Sequence, residues 1–342
     1  MRVFRILVCS SILPFLFLLV ANAQHVVKVY EQKSFPVTVP AGNYSGITHL
    51  HDDVYGVVSD KSDSSLYFNF RIQLDSLSGD LRHVECLGGV GRVDTCGLDH
   101  EAIAKTSDST LVIVSEGLFR FTQYPIDNPI HGLWSLRKPA ADFYPNYGYE
   151  SLTYDSVRHC LWSVTESTLR KDGEPASWQN GMRNRLRLFS FDKSGIRSSY
   201  AYLMDPPSTS RVAQMYVMGV SELCALPDGQ LLVLEREAWI PKIKLGAFCR
   251  CKLYIVNPSQ EKEFEMNDSF SADTPFVHKR LLTEWTTRLS LLGRSFANYE
   301  GMCLGSRLAN GDWVLILLAD SQNQYAGVLK DWFKTIVISP SD

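Results

Sequence analysis

The feature that most constrains this chain is a stretch that recurs five times. Asn298-Tyr299-Glu300-Gly301-Met302-Cys303-Leu304 precedes an apolar run from Trp313 to Leu318, which closes on Asp320. The same order appears as Asn43-Tyr44-Ser45-Gly46-Ile47 leading to Tyr55-Gly56-Val57-Val58 and Asp60, and as Asp99-His100-Glu101-Ala102-Ile103 leading to Leu111-Val112-Ile113-Val114 and Glu116. Gly148-Tyr149-Glu150-Ser151-Leu152 runs through Leu161-Trp162-Ser163-Val164 to Glu166, and Val220-Ser221-Glu222-Leu223 through Leu231-Leu232-Val233-Leu234 to Glu235. A repeated supersecondary unit cannot bury its apolar face alone, so repetition dictates an array or a ring.

Each unit continues with a third run of alternating aromatic and β-branched residues, such as Leu66 to Phe70, Leu186 to Asp192 and Lys252 to Asn257. A weaker fourth follows in most units: Leu81 to Leu87, His131 to Leu136, Ser198 to Met204 and His278 to Trp285. Period-two alternation bounded by Asp, Asn, Ser and Gly is strand and turn chemistry. The unit is therefore an all-β, four-stranded antiparallel meander. The fifth unit ends at Ile338, one strand short, while His25 to Tyr30 stands before the first unit with no sheet of its own. A β-propeller closed by that N-terminal strand accounts for both facts and removes exposed sheet edges. The last two intervals between openers are longer, inflated by insertions at Arg170 to Asn184, Pro206 to Val217, Trp239 to Cys249 and Pro258 to Pro275. No sixth opener lies there, so five blades are expected, with six as the alternative.

Residues 1–23 read as a secretory signal: Arg2 and Arg5, an apolar stretch from Ile6 to Val20, then Ala21-Asn22-Ala23. Residues 24–342 would form a single propeller domain in the periplasm or outside the cell. No later run has the apolar length of a membrane span. A formal net charge of −3 argues against nucleic acid as a partner. Cys86 and Cys96 flank a Gly-rich loop and could pair under oxidising conditions, whereas Cys160, Cys224 and Cys303 sit within apolar strands as small hydrophobes. Cys249-Arg250-Cys251 is too tightly spaced for a zinc knuckle, so no zinc is expected.

In a propeller the first strand of each blade lines the axis, so Glu101, Glu150, Glu222 and Glu300, with Ser45 at the fifth place, are expected to form a ring at one mouth. Clustered carboxylates raise one another's pKa and require compensation. Calcium, which takes six to eight oxygen ligands, is one candidate, with those four glutamates as its ligands. Arg236 and Arg211 are candidate cationic partners, and backbone N–H groups of a neighbouring blade are a third possibility. The second series, Asp60, Glu116, Glu166, Glu235 and Asp320, is expected at the opposite mouth. His100, beside Glu101, is the histidine closest to the ring. There is no Gly-x-Ser-x-Gly elbow and no His-Glu-x-x-His helix.

The openers, together with Pro227-Asp228-Gly229, Leu234-Glu235-Arg236-Glu237 and Leu318-Ala319-Asp320, resemble the phytase-like family described as having esterase-like activity, over about Asn43 to Ser339. That resemblance implies an exported bacterial propeller hydrolysing ester or phosphoester bonds, similar to calcium-dependent propeller phytases. Glu101, Glu150, Glu222 and Glu300 would be ligands or catalytic base, while Arg236, Arg211 and His100 would bind an anionic substrate. The alternative is a non-catalytic envelope propeller holding a glycan, another small molecule or a partner on its insertions, where Trp178, Trp239, Trp285 and Tyr216 lie.

Overall fold

The computed structural model describes residues 23–61, 65–92, 99–137, 142–290 and 293–340. The signal segment expected over residues 1–23 lies almost wholly outside them, and so does Cys96. Among the described residues no helix is long and apolar enough to cross a membrane.

The strands group into five antiparallel sheets, each built from consecutive segments. Blade one comprises β3 (Tyr44–His51), β4 (Val54–Ser59), β5 (Tyr67–Leu74) and β6 (Leu81–Val90); blade two comprises β7 (His100–Ser107), β8 (Thr110–Ser115), β9 (Arg120–Pro125) and β10 (Trp134–Arg137). Blade three contains β11 (Thr153–Asp155), β12 (Cys160–Val164), β13 (Arg185–Asp192) and β14 (Gly195–Leu203). Blade four contains β15 (Met215–Ala225), β16 (Leu231–Ile240), β17 (Phe248–Val256) and β18 (Arg280–Arg288). Blade five has β19 (Asn298–Leu304), β20 (Trp313–Asp320) and β21 (Trp332–Ser339), and its fourth strand is β1 (His25–Val29), with β2 (Lys33–Ser34) also paired to β21. The expected five-bladed propeller and its closure by the N-terminal strand are thus both present.

The innermost strands touch in ring order, β3 to β7, β11, β15, β19 and back to β3. The apolar core is divided into wedges, each drawn from two adjacent blades. Ile103 and Ile113 of blade two meet Val58 and Tyr67 of blade one, and Leu315 and Leu317 of blade five meet Leu234 and Leu253 of blade four. Alternation makes this possible, because successive side chains of a strand face opposite neighbours. Cys160, Cys224 and Cys303 are buried among these strands, as expected. Cys249 and Cys251 are buried on one face of β17 with their sulfurs 3.9 Å apart.

Close approach at the axis needs small side chains. A Cβ on Gly46 would sit 2.7 Å from Ala102 Cα, closer than such contacts occur. Hydroxyls then tie blade to blade: Ser45 Oγ donates to His100 O at 2.6 Å, Lys105 N donates to Thr48 Oγ1 at 3.0 Å, and Ala225 N to Thr153 Oγ1 at 2.9 Å.

Blade four is taller than the others. Four pairs of β15 and β16, Met218↔Glu237 through Met215↔Ile240, extend beyond the Gly219↔Arg236 pair, a projection of about 14 Å at the usual rise of a strand. A chain that begins at Gln32, and so lacks β1, exposes the edge of β21 and opens the ring. Thermal denaturation should show a midpoint lower by ~10 °C or more, with broadening of the transition; an unchanged midpoint would mean that the closing strand is dispensable.

Candidate active site

The register of each inner hairpin decides which side chains reach the mouth. In blade one Tyr44 pairs with Ser59 and Gly46 with Val58, so Ser45 is bulged; in blades two and five the bulged residues are Glu101 and Glu300. One extra residue is likewise accommodated between Tyr149, which bridges Thr165, and Thr153, which pairs with Trp162; that span holds Glu150. A bulge re-aims the extra side chain out of the sheet. In blade four Val220 pairs with Glu235 and Glu222 with Leu234, so the bulged residue is Ser221 and not Glu222.

The expected ring therefore needs correction in blade four. Glu222 lies one residue further in, at the place of Gly46, Ala102 and Gly301, and a shift of one position redirects a strand side chain. Its buried carboxylate accepts hydrogen bonds from the N–H groups of Leu152 in blade three and Leu223, each at 2.9 Å, which makes it an inter-blade tie. With Ser151 of blade three, four small residues at that level leave room for one long side chain. The inverted order, Ser221-Glu222 against Glu150-Ser151, was the available sequence signal.

The second acidic series also moves. It lies at the same mouth as the first, because in an antiparallel hairpin the end of strand two is beside the start of strand one. Asp60 N bonds Asn43 O, Glu116 N bonds Asp99 O, Glu166 N bonds Gly148 O, and Asp320 pairs with Asn298. The member of this level from blade four is Arg236, which pairs with Gly219; Glu235 points away, accepting from Tyr202 Oη at 2.8 Å and contacting Lys279. Gly148 leaves space for the preceding acid, since a Cβ there would come within 2.4 Å of Glu116 Cγ.

Arg236 is 3% exposed and joins three blades. Its Nη1 lies 2.5 Å from Glu300 Oε1 and 3.2 Å from Asn298 Oδ1, and its Nη2 lies 2.8 Å from Glu166 Oε1 and 3.1 Å from Glu150 Oε2. Asn298 Nδ2 also donates to Glu300 Oε1 at 2.6 Å. On the other side of the mouth compensation is thin. Asp60 Oδ1 and Glu116 Oε1 are buried without a hydrogen-bond partner, as is Glu166 Oε2, the oxygen of Glu166 that Arg236 does not reach. Lys61, half exposed, reaches Asp60 at 2.8 Å.

Burial raises every carboxyl of the cluster. Glu150 is pushed up to about 7 and Glu300 to about 8, both held back by Arg236. Glu101 lies well above the usual range because burial is compounded by Glu150, Glu300, Glu116 and Asp60. Glu166 and Asp320 are also well above it through burial, reinforced by Glu150 and Glu300 respectively. The half-buried Tyr147 phenol, pushed up to about 12, adjoins Glu166 and Glu150. Sequence reasoning did not single out Tyr147, Asn298 or Lys61, whose roles depend on neighbours from other blades.

Two expected substrate-binding residues lie elsewhere. His100 is 2% exposed, set against the backbone of Leu66 in blade one with Nε2 unpartnered, and burial lowers its pKa to about 4. Arg211 is on an exposed loop, its guanidinium 4.1 Å from the centre of the Trp239 ring. Among the described residues no group of three or more His, Cys, Asp or Glu side chains is arranged as a metal-binding cage. The donor chemistry nevertheless suits a hard divalent cation: oxygen-only, anionic and partly orphaned.

Residues 39–322 match the phytase-like family described as "esterase-like activity of phytase", and the chain belongs to that family. No curated protein matches the chain in sequence. Among solved structures it is similar to a virginiamycin B lyase from Staphylococcus aureus, at 11% identity over 91% of this chain and 99% of that one with a TM-score of 0.38. It is also similar to a PQQ-bound aldose sugar dehydrogenase from Streptomyces coelicolor (12%, 92% and 100%, 0.40) and a GH43_1 enzyme from Xanthomonas citri (11%, 89% and 90%, 0.44). These likenesses are too distant to bear on function.

The carboxyls are protonated in the folded chain over a range where the unfolded chain has ionised them, so unfolding there releases protons. Stability accordingly falls as pH rises from the ordinary carboxyl range near 4.5 through about 7 and 8 for Glu150 and Glu300. Arg236→Met should cost about 3–5 kcal/mol at neutral pH by stranding its partners, with a smaller deficit at pH 5. Denaturant melts of both proteins at pH 5 and 8 read this directly; a deficit independent of pH would contradict the electrostatic account.

Proposed function

We propose that the chain is an exported hydrolase of ester or phosphoester bonds that works at the carboxylate mouth with calcium or a similar hard cation. The observation carrying this reading is the set of buried, unpartnered oxygens of Asp60, Glu116 and Glu166 around the uncompensated Glu101. Leaving such groups dry and unpaired is costly, so a ligand that satisfies them is strongly favoured. Membership of the phytase-like family supports the reaction class, and the Arg2 to Ala23 pattern supports export to the periplasm or beyond.

Asp60, Glu101 and Glu116, joined by Asp320, would hold the cation. Bound there, calcium would supply positive charge against the oxygen of an ester carbonyl or phosphoryl group. Glu150, poised at about 7, suits a base that takes the proton of an attacking water, and Glu300, at about 8, suits an acid that gives one to the leaving oxygen. Arg236 holds both in place from a buried position, and Lys61 at the rim is the cation available to an anionic substrate. Glu222 is outside this machinery.

With p-nitrophenyl esters and phosphates, the Glu101→Gln, Glu150→Gln double variant should lose roughly 10²-fold or more in kcat/KM. Glu222→Gln should retain turnover while melting lower, and calcium should raise the wild-type melting temperature while EDTA lowers it. Full turnover in the double variant sinks the hydrolase reading. Absence of turnover in the wild type, with no calcium shift, would leave a glycan- or partner-binding propeller.

A further inference from the structure

The projecting end of blade four does not belong to the mouth. It ends in two adjoining loops, one leading into Met215 and one leaving Ile240, joined where Gln214 N donates to Ile240 O at 2.8 Å. Beneath them Trp239 is clamped between the Phe248 ring, 5.6 Å away, and the Arg211 guanidinium, and its Nε1 donates to Arg211 O at 2.9 Å. The support is rigid, yet the tips are bare. Ile243 is 84% exposed, Val212 72% and Met215 58%, beside a groove of about 710 Å³ between the loops.

Interleaved with these aliphatic tips are Arg211, Lys242 and Lys244, all exposed. Among the described residues none of the three forms an ion pair; Lys244 Nζ donates only to Tyr325 Oη, at 2.8 Å. The positive charge is local, since the chain as a whole is formally −3. Exposed aliphatic tips ringed by cations are the combination that inserts into the headgroup layer of an anionic bilayer: apolar tips enter the acyl boundary while Lys and Arg heads remain with the phosphates. Tyr325, half exposed beside Lys244, suits the same interfacial depth.

We propose that this tip is a membrane-docking element that seats the propeller on anionic lipid. Self-association through the same patch is disfavoured, because a two-fold contact would set Arg211, Lys242 and Lys244 against their own copies. The acids of the mouth do not oppose docking. They lie about 14 Å below the tip, further than the ~8 Å over which charge acts at physiological salt.

The test is flotation of the full mature protein with phosphatidylcholine vesicles, with and without phosphatidylglycerol. Binding should require phosphatidylglycerol and weaken with salt. Lys242→Glu should reduce it by ~5-fold or more, about the contribution of one basic residue near such a surface. Ile243→Asp should reduce it further, and neither variant should change the melting temperature or p-nitrophenyl ester turnover. Failure of the wild type to float, flotation equally strong without phosphatidylglycerol, or flotation indifferent to both variants would overturn the proposal. So would a wild-type dimer that Ile243→Asp dissociates while no lipid is bound.

Discussion

The contact on which the mouth of this propeller depends is the guanidinium of Arg236, buried between Glu150, Glu166 and Glu300. Glu150 and Glu166 come from blade three, Glu300 from blade five and Arg236 itself from blade four. A planar guanidinium with several fixed donors can serve them together, which an ammonium cannot do as well. Its position follows from blade four alone having a base where the others carry Asp60, Glu116, Glu166 and Asp320. One substitution in a repeated pattern thus divides the mouth into a compensated half and an uncompensated one.

That division connects structure to chemistry. Near Arg236 the carboxyls of Glu150 and Glu300 are raised only into the neutral range, where proton transfer is useful. Opposite it, Glu101 has no such neighbour, and Asp60 and Glu116 present oxygens with nothing to accept from. Glu222 illustrates the other fate of a buried acid. Backbone N–H groups satisfy one of its oxygens, so it serves the joint between blades. The wedge cores flank these acids, since each blade packs its apolar faces against both neighbours.

Much of the architecture was legible because it rests on local periodicity. Five openers, alternating strands and an orphan N-terminal strand demanded a closed ring, and the pairing of β1 with β21 meets that demand. The acidic mouth was legible as a composition but not as a geometry. Reading Glu222 and Glu235 as the ring members of blade four was off by one residue at each position, and it took the observed register to show Ser221 and Arg236 in those places. A bulge is set by pairing across strands, to which a single strand's pattern of apolar residues is indifferent.

The sequence by itself determined the repeat, the number of blades and the class of side chain at the axis, because strand alternation and turn chemistry act over a few residues. Tertiary structure decided which acids share the mouth, which one ties blades together, and that Arg236 rather than Arg211 reaches them. Those outcomes depend on residues brought together from distant blades, where burial sets the cost of a charge and a shift of one residue changes the direction in which a side chain points. No local signal encodes the first, and for the second the inverted order of Ser221 and Glu222 is the sole trace in the sequence.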